Sequence, residues 1–118
     1  MAYQFICYPR CTTCQKAQKW LNANGIAYEP RDIKLRNPSE AELNEWIAKS
    51  GLPIRRFFNT SGMQYRAQGL SSKLDDMSDA EKLKLLATDG MLVKRPILIA
   101  GDTVLVGFKE KEWAAALC

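Results

Sequence analysis

The chain has 118 residues, 47% of them hydrophobic, which suffices for a single domain with one core and no metal or disulfide staples. Its 17 Lys and Arg against 13 Asp and Glu leave a net charge of +4, mixed with acids along the sequence, so the charge marks neither direct nucleic-acid binding nor a single basic face. Histidine is absent, which excludes every triad or metal site that needs an imidazole, and no apolar run is long enough to span a bilayer.

The N-terminus carries no signal-peptide pattern, because charge first occurs at Arg10 after a short apolar run; a cytoplasmic location and no membrane partner are expected. Thiols stay reduced in that compartment, so a close cysteine pair is expected to be catalytic, redox-sensing or metal-binding rather than a structural bridge. Tyr3-Gln4-Phe5-Ile6-Cys7 reads as a buried strand that Pro9-Arg10 breaks. Thr12 to Asn24 has helical spacing, with Ala17, Trp20 and Leu21 on one stripe, and Asn24-Gly25 supplies the stop. Ile26 to Ile33 reads as the second strand, so the opening is a βαβ unit with a right-handed crossover and parallel strands. Ser39-Glu40-Ala41-Glu42 is a capping box that opens a helix with Leu43, Trp46 and Ile47 inward, ended by Gly51-Leu52-Pro53.

From Ile54 to Gly90 strand alternation is missing, and several short helices are expected there. Asn59-Thr60-Ser61-Gly62 and Gly69 supply turns, and Ser78-Asp79-Ala80-Glu81 is a second capping box ahead of Leu83, Leu86 and Ala87. Ile97-Leu98-Ile99 and Val104-Leu105-Val106, joined through Gly101-Asp102, form a hairpin, and Trp113 to Leu117 closes as a helix. The order β-α-β, helical insertion over about 54–90, then β-β-α predicts an α/β, thioredoxin-like (glutaredoxin-like) fold with a mixed four-stranded sheet. One domain, 1–118, is expected.

Cys11-Thr12-Thr13-Cys14 sits where the first strand gives way to the first helix. Unpaired amides and the positive end of the helix dipole favour a thiolate at Cys11, and Cys14, one turn along, is placed to attack a disulfide or adduct formed there. A zinc half-site and plain packing of both thiols are the other readings; with no histidine and no second Cys-x-x-Cys, a closed metal site lacks ligands. In a thioredoxin-type fold Arg95-Pro96 falls where a cis proline packs beside the reactive cysteine, and Arg95 would then stabilise the thiolate and grip an anion; the plainer reading is a proline opening a strand next to a solvated arginine. Asn59 and its neighbours read equally as a capped turn or as a wall of an anion pocket. Arg10, Thr12, Thr13, Asn59 and Pro96 are the candidate substrate contacts beside the candidate catalytic residues Cys11, Cys14 and Arg95. Cys7 is expected to be a small buried hydrophobe, the terminal Cys118 an exposed thiol, and Trp20, Trp46 and Trp113 core residues.

Four segments together resemble the arsenate reductase and Spx family of thioredoxin-fold proteins: Tyr8 to Cys14, Gly51 to Phe58 running into Asn59-Thr60-Ser61-Gly62, Lys94-Arg95-Pro96-Ile97, and Val106-Gly107-Phe108. The resemblance implies a cysteine nucleophile at Cys11, an oxyanion-binding arginine at Arg95, and no bound cofactor, with a thiol reductant such as glutathione with glutaredoxin, or thioredoxin, completing a cycle. Where such reductases hold two further arginines this sequence has Asn59 and Gly107, and where they have a histidine it has Cys7. The Spx branch implies instead a Cys-x-x-Cys disulfide switch and a partner in RNA polymerase, namely the C-terminal domain of its α subunit.

Overall fold

Strand β1 (Tyr3–Cys7) lies inside a four-stranded sheet of order β2-β1-β3-β4 in the computed structural model, which describes residues 3–60 and 62–118. Strand β2 (Tyr28–Asp32) runs parallel to β1, with Tyr3 opposite Tyr28 and Cys7 opposite Asp32. Strand β3 (Ile97–Ala100) is antiparallel to β1, and β4 (Thr103–Val106) is antiparallel to β3. The sheet is therefore mixed and the fold α/β thioredoxin-like, as the element order predicts.

β2 is shorter than the run Ile26 to Ile33. At its start the Ile26 N–H turns back to the Leu21 carbonyl (3.0 Å), completing the end of the preceding helix rather than a ladder. At its end the Asp32 carboxylate accepts from the amides of Lys34 and Leu35 (2.8 and 3.2 Å), which turns the chain out of the sheet.

Alternation along β1 splits the core in two, because successive side chains leave a strand on opposite faces. Phe5 packs with Leu98, Trp113, and Ala17 and Leu21 of α1 (Thr12–Ala23). Ile6 faces the other side, among Ile97, Leu43 and Trp46 of α2 (Glu40–Ser50), and the buried residues of the insertion. α2 opens with the expected capping box: the Glu42 amide donates to Ser39 Oγ (3.1 Å) and the Ser39 amide to Glu42 Oε1 (3.1 Å). Glu42 also receives a two-pronged bond from Arg31 of β2 (2.6 and 2.9 Å), and that guanidinium lies 5.8 Å over the Trp46 ring.

The insertion holds α3 (Met63–Ala67), α4 (Leu70–Lys73) and α5 (Asp79–Leu86), with 3₁₀ turns at Ile54–Phe57, Leu74–Asp76 and Gly90–Leu92. The second capping box is present at Ser78. Ser61, part of a predicted turn, lies outside the described residues. Two backbone bonds bracket an isolated bridge between Phe58 and Val93: Asn59 N–H to the Leu92 carbonyl and Lys94 N–H to the Phe57 carbonyl, both 2.7 Å. This clasp lays the start of the insertion beside the segment that leads into β3. The last helix, α6 (Glu110–Leu117), buries Trp113, whose indole N–H donates to the Gly107 carbonyl (3.0 Å) while its ring meets Phe108 at 5.0 Å. Among the described residues, no helix is long and apolar enough to cross a membrane.

Candidate active site

Cys11 is the N-cap of α1, with extended backbone angles (φ −82°, ψ 121°), immediately before a helix that begins at Thr12 as expected. The turn that puts it there is closed by its own amide, which donates to the Tyr8 carbonyl at 3.0 Å, and by Gln15, whose side chain donates to the Pro9 carbonyl at 2.9 Å. An N-cap side chain faces the free amides two and three residues on, here those of Thr13 and Cys14. As a thiol, Cys11 makes no capping hydrogen bond. Its ionisation responds to these groups all the same: burial is the largest single influence and opposes the charge, but the Cys14 amide, the Cys14 thiol, the Arg95 guanidinium and the Thr13 amide together outweigh it and hold the thiol below its ordinary pKa.

Cys14 behaves in the opposite way. It is 3% exposed, and burial, followed by the charge and hydrogen bond of Cys11, pushes its pKa up to about 12 even though the Tyr8 amide donates to its sulfur at 3.4 Å. One thiol of the pair is thus partly exposed and held below its ordinary pKa, and the other is buried and held above it. Oxidation at Cys11 removes the like charge that helps keep Cys14 protonated. Cys7 is half-buried rather than fully buried as expected, and its thiol is raised by burial and by the Asp32 carboxylate opposite it on β2. No disulfide links the four cysteines.

The Arg95–Pro96 bond is cis, as the fold argument expects. The Arg95 guanidinium lies 5.3 Å over the Tyr8 ring, and its Nε and Nη1 are buried without a hydrogen-bond partner among the described residues. Buried donors without acceptors are costly, so this guanidinium is set up to receive an anion.

Cys11 and Arg95 open into a cleft of about 900 Å³. Thr13, Asn59 and Gly107 line it as well, so the two positions where the family resemblance would place further arginines do share the cleft with Cys11. The charge missing there is supplied from elsewhere: Arg55, Arg56, Lys94 and Lys109 line the same cleft, and no carboxylate does among the described residues. Arg55 is paired with Asp75, whereas Arg56, Lys94, Arg95 and Lys109 have no ion pair among the described residues. Of the other expected contacts, Arg10 and Thr12 are exposed outside the cleft, and Pro96 is buried behind its wall. The four extra cations were not among the candidate contacts; the basic doublets Arg55-Arg56 and Lys94-Arg95, at the two strands of the Phe58–Val93 clasp, were the signal available in the sequence.

The sequence model of the ArsC family matches residues 6–116, from β1 through α6, and so takes in both thiols, the clasp and the cis proline. The chain belongs to the ArsC family. It is 49% identical over 113 residues to the protein YusI of Bacillus subtilis, covering 96% of each chain. A solved structure of an ArsC-family-related protein from Bacteroides fragilis is 52% identical and superposes with a TM-score of 0.95, covering 98% of this chain and 97% of that one. More distantly, the chain is 28% identical over 109 residues to the global transcriptional regulator Spx of Streptococcus mutans, covering 92% of this chain and 78% of that protein. As an ArsC-family thiol protein it places Cys11, Arg95, Asn59 and Gly107 around one opening.

Proposed function

We propose that the chain is a thiol–disulfide oxidoreductase whose Cys11 thiolate attacks an anionic substrate in the cationic cleft and whose Cys14 resolves the adduct. With a disulfide substrate, the Cys11 sulfur bonds to one substrate sulfur and the other departs as a thiolate. Cys14 then loses its proton to solvent and attacks Cys11, forming the Cys11–Cys14 bond and releasing the second substrate thiolate. The substrate gains two electrons and the protein becomes a disulfide, which a dithiol reductase or two equivalents of a small thiol such as glutathione restores.

The observation that carries this reading is the Arg95 guanidinium, whose buried Nε and Nη1 have no hydrogen-bond partner among the described residues, in the same cleft as a thiol held below its ordinary pKa. The size of the cleft bears on the substrate. At about 900 Å³ it lies at the upper end of the roughly 300–1,000 Å³ typical of sites for drug-sized ligands, which suits a peptide-sized anion better than a bare tetrahedral oxyanion. Asn59 and Gly107, in place of two arginines, weaken the case for arsenate in the same direction.

The test uses the anionic aromatic disulfide 5,5′-dithiobis(2-nitrobenzoate) on a Cys118→Ala background, because Cys118 is exposed. Cys11→Ser is expected to slow release of the coloured thiolate at least 100-fold, and Cys14→Ser to stop at a mixed disulfide after a single release. Undiminished release from Cys11→Ser would sink the proposal.

A second reading is favoured by the similarity to the transcriptional regulator Spx over 92% of the chain: a redox-sensing regulator, with Cys11 and Cys14 as its switch, that binds the C-terminal domain of the α subunit of RNA polymerase. A pull-down with that domain under oxidised and reduced conditions separates the two, since the regulator requires redox-dependent capture and the oxidoreductase requires none.

A further inference from the structure

A third thiol lies near the pair. Cys7 ends β1 and packs against the cluster formed by Phe5, Ala17 and Leu21. Cys14, Ala17 and Leu21 are the buried stripe of α1, so the helix lays Cys14 over the same face of the sheet. The contact that fixes their separation is the Tyr8 amide, bonded to the Cys7 carbonyl carbon, which donates to Cys14 Sγ at 3.4 Å. Standard backbone lengths keep that nitrogen within about 2.9 Å of Cys7 Cα, so Cys14 Sγ lies within roughly 6 Å of Cys7 Cα. That puts the Cys14 sulfur one side-chain length from the Cys7 backbone, so rotation of the Cys7 side chain with a backbone adjustment on the order of 1–2 Å brings the sulfurs to the bonding distance of about 2.05 Å. The three thiols also sense one another's charge: Cys7 raises Cys14, and Cys11 raises both.

We propose that Cys7 is a third redox thiol, which takes Cys14 over from the Cys11–Cys14 disulfide and leaves the oxidised protein with a Cys7–Cys14 bond and a free Cys11. The inference rests on the disulfide of the proposed function. Cys7 gives its proton to water and its sulfur attacks Cys14 Sγ; the Cys7–Cys14 bond forms, the Cys14–Cys11 bond breaks, and Cys11 leaves as a thiolate. The exchange is an isomerisation and needs no further oxidant or reductant. Its direction follows from where charge is tolerated. Cys11 sits against free amides and Arg95 and is the better leaving group, whereas burial opposes ionisation of both Cys7 and Cys14, and Asp32 further opposes it at Cys7. The neutral bond then joins the two sulfurs that resist charge, and the nucleophile faces the cleft again while the oxidising equivalents are held beneath α1.

The experiment maps the disulfide in Cys118→Ala protein oxidised with one equivalent of diamide, quenched in acid and alkylated with N-ethylmaleimide. Trypsin cuts after Arg10, so Cys7 leaves on one peptide and Cys11 with Cys14 on the next. The proposal expects a crosslink between these peptides through Cys14, with Cys11 alkylated, in more than half of the oxidised molecules. A majority of Cys11–Cys14 loops with Cys7 alkylated overturns the relay and leaves the oxidoreductase reading standing, whereas the absence of any intramolecular disulfide overturns both. Cys7→Ser gives a second readout: after oxidation its Cys11 should react with iodoacetamide at least tenfold less than in the parent protein, and equal reactivity refutes the exchange.

Discussion

Replacing Gly90 with alanine tests whether the clasp between the insertion and β3 shapes the active site. A Cβ at Gly90 would fall 1.8 Å from the Ile33 carbonyl oxygen and 2.7 Å from its carbon, both backbone atoms that no side-chain rotation can move aside. Carbon–oxygen contacts settle at roughly 3.3 Å or more, so the connection after β2 and the Gly90–Leu92 turn must separate by about 1.5 Å. Overpacking of this kind costs about 1–3 kcal/mol and sometimes more, and the backbone contact puts this case at about 3 kcal/mol. At roughly 4 °C per kcal/mol for a domain of this size, the melting temperature falls by about 12 °C. The same turn carries Leu92, whose carbonyl holds the Asn59 amide, and Met91, which lines the cleft. Reaction of Cys11 with the anionic disulfide is therefore expected to slow several-fold at a temperature where the variant stays folded. Gly25→Ala is the control: its φ of +65° strains any other residue by about 1–2 kcal/mol, yet an added Cβ meets nothing within 4 Å and the site is remote. Thermal melts of both variants decide the matter. If Gly90→Ala melts within about 4 °C of the parent, or above Gly25→Ala, the packing argument is wrong.

Two further outcomes are expected. Alkylation of Cys11 by neutral iodoacetamide, followed against pH in the Cys118→Ala background, should rise with an inflection below that of an ordinary thiol, and Arg95→Met should move the inflection upward; an unchanged profile would show that the guanidinium does not act on the thiolate. Glu42, held at about 2 chiefly by the hydrogen bond from Arg31, contributes stability that is complete above the ordinary carboxylate value near 4.5 and is lost as pH falls from there to about 2. Because Glu42 is 38% exposed, screening leaves about 1 kcal/mol of this, and Glu42→Gln should flatten the denaturant midpoint over that acid interval by the corresponding amount; parallel curves for the two proteins would refute it.

Legibility in the sequence followed how local each signal was. The capping boxes at Ser39 and Ser78 are closed within four residues, and both appear as read. Cys11 and Cys14 were readable for the same reason, since the strand-to-helix transition and its free amides are set by neighbouring residues. The ends of β2 are less local: the Ile26 amide is taken by the Leu21 carbonyl of the preceding helix, and the Asp32 carboxylate binds the Lys34 and Leu35 amides and turns the chain away just past the strand.

The amino-acid sequence by itself determined the order of elements and the placing of one thiol at a helix start with a second one a turn away. Those properties follow from periodicity, caps and spacing, which act over one or two turns of chain. Only the tertiary structure decided that Arg55, Arg56, Lys94 and Lys109 line one cleft with Arg95 and Cys11, and that the amide following Cys7 meets the Cys14 sulfur. The first depends on the Phe58–Val93 clasp between segments 35 residues apart in sequence, and the second on the face of β1 that α1 covers. Both are consequences of which surfaces are buried against each other, and no local stretch of sequence encodes that choice.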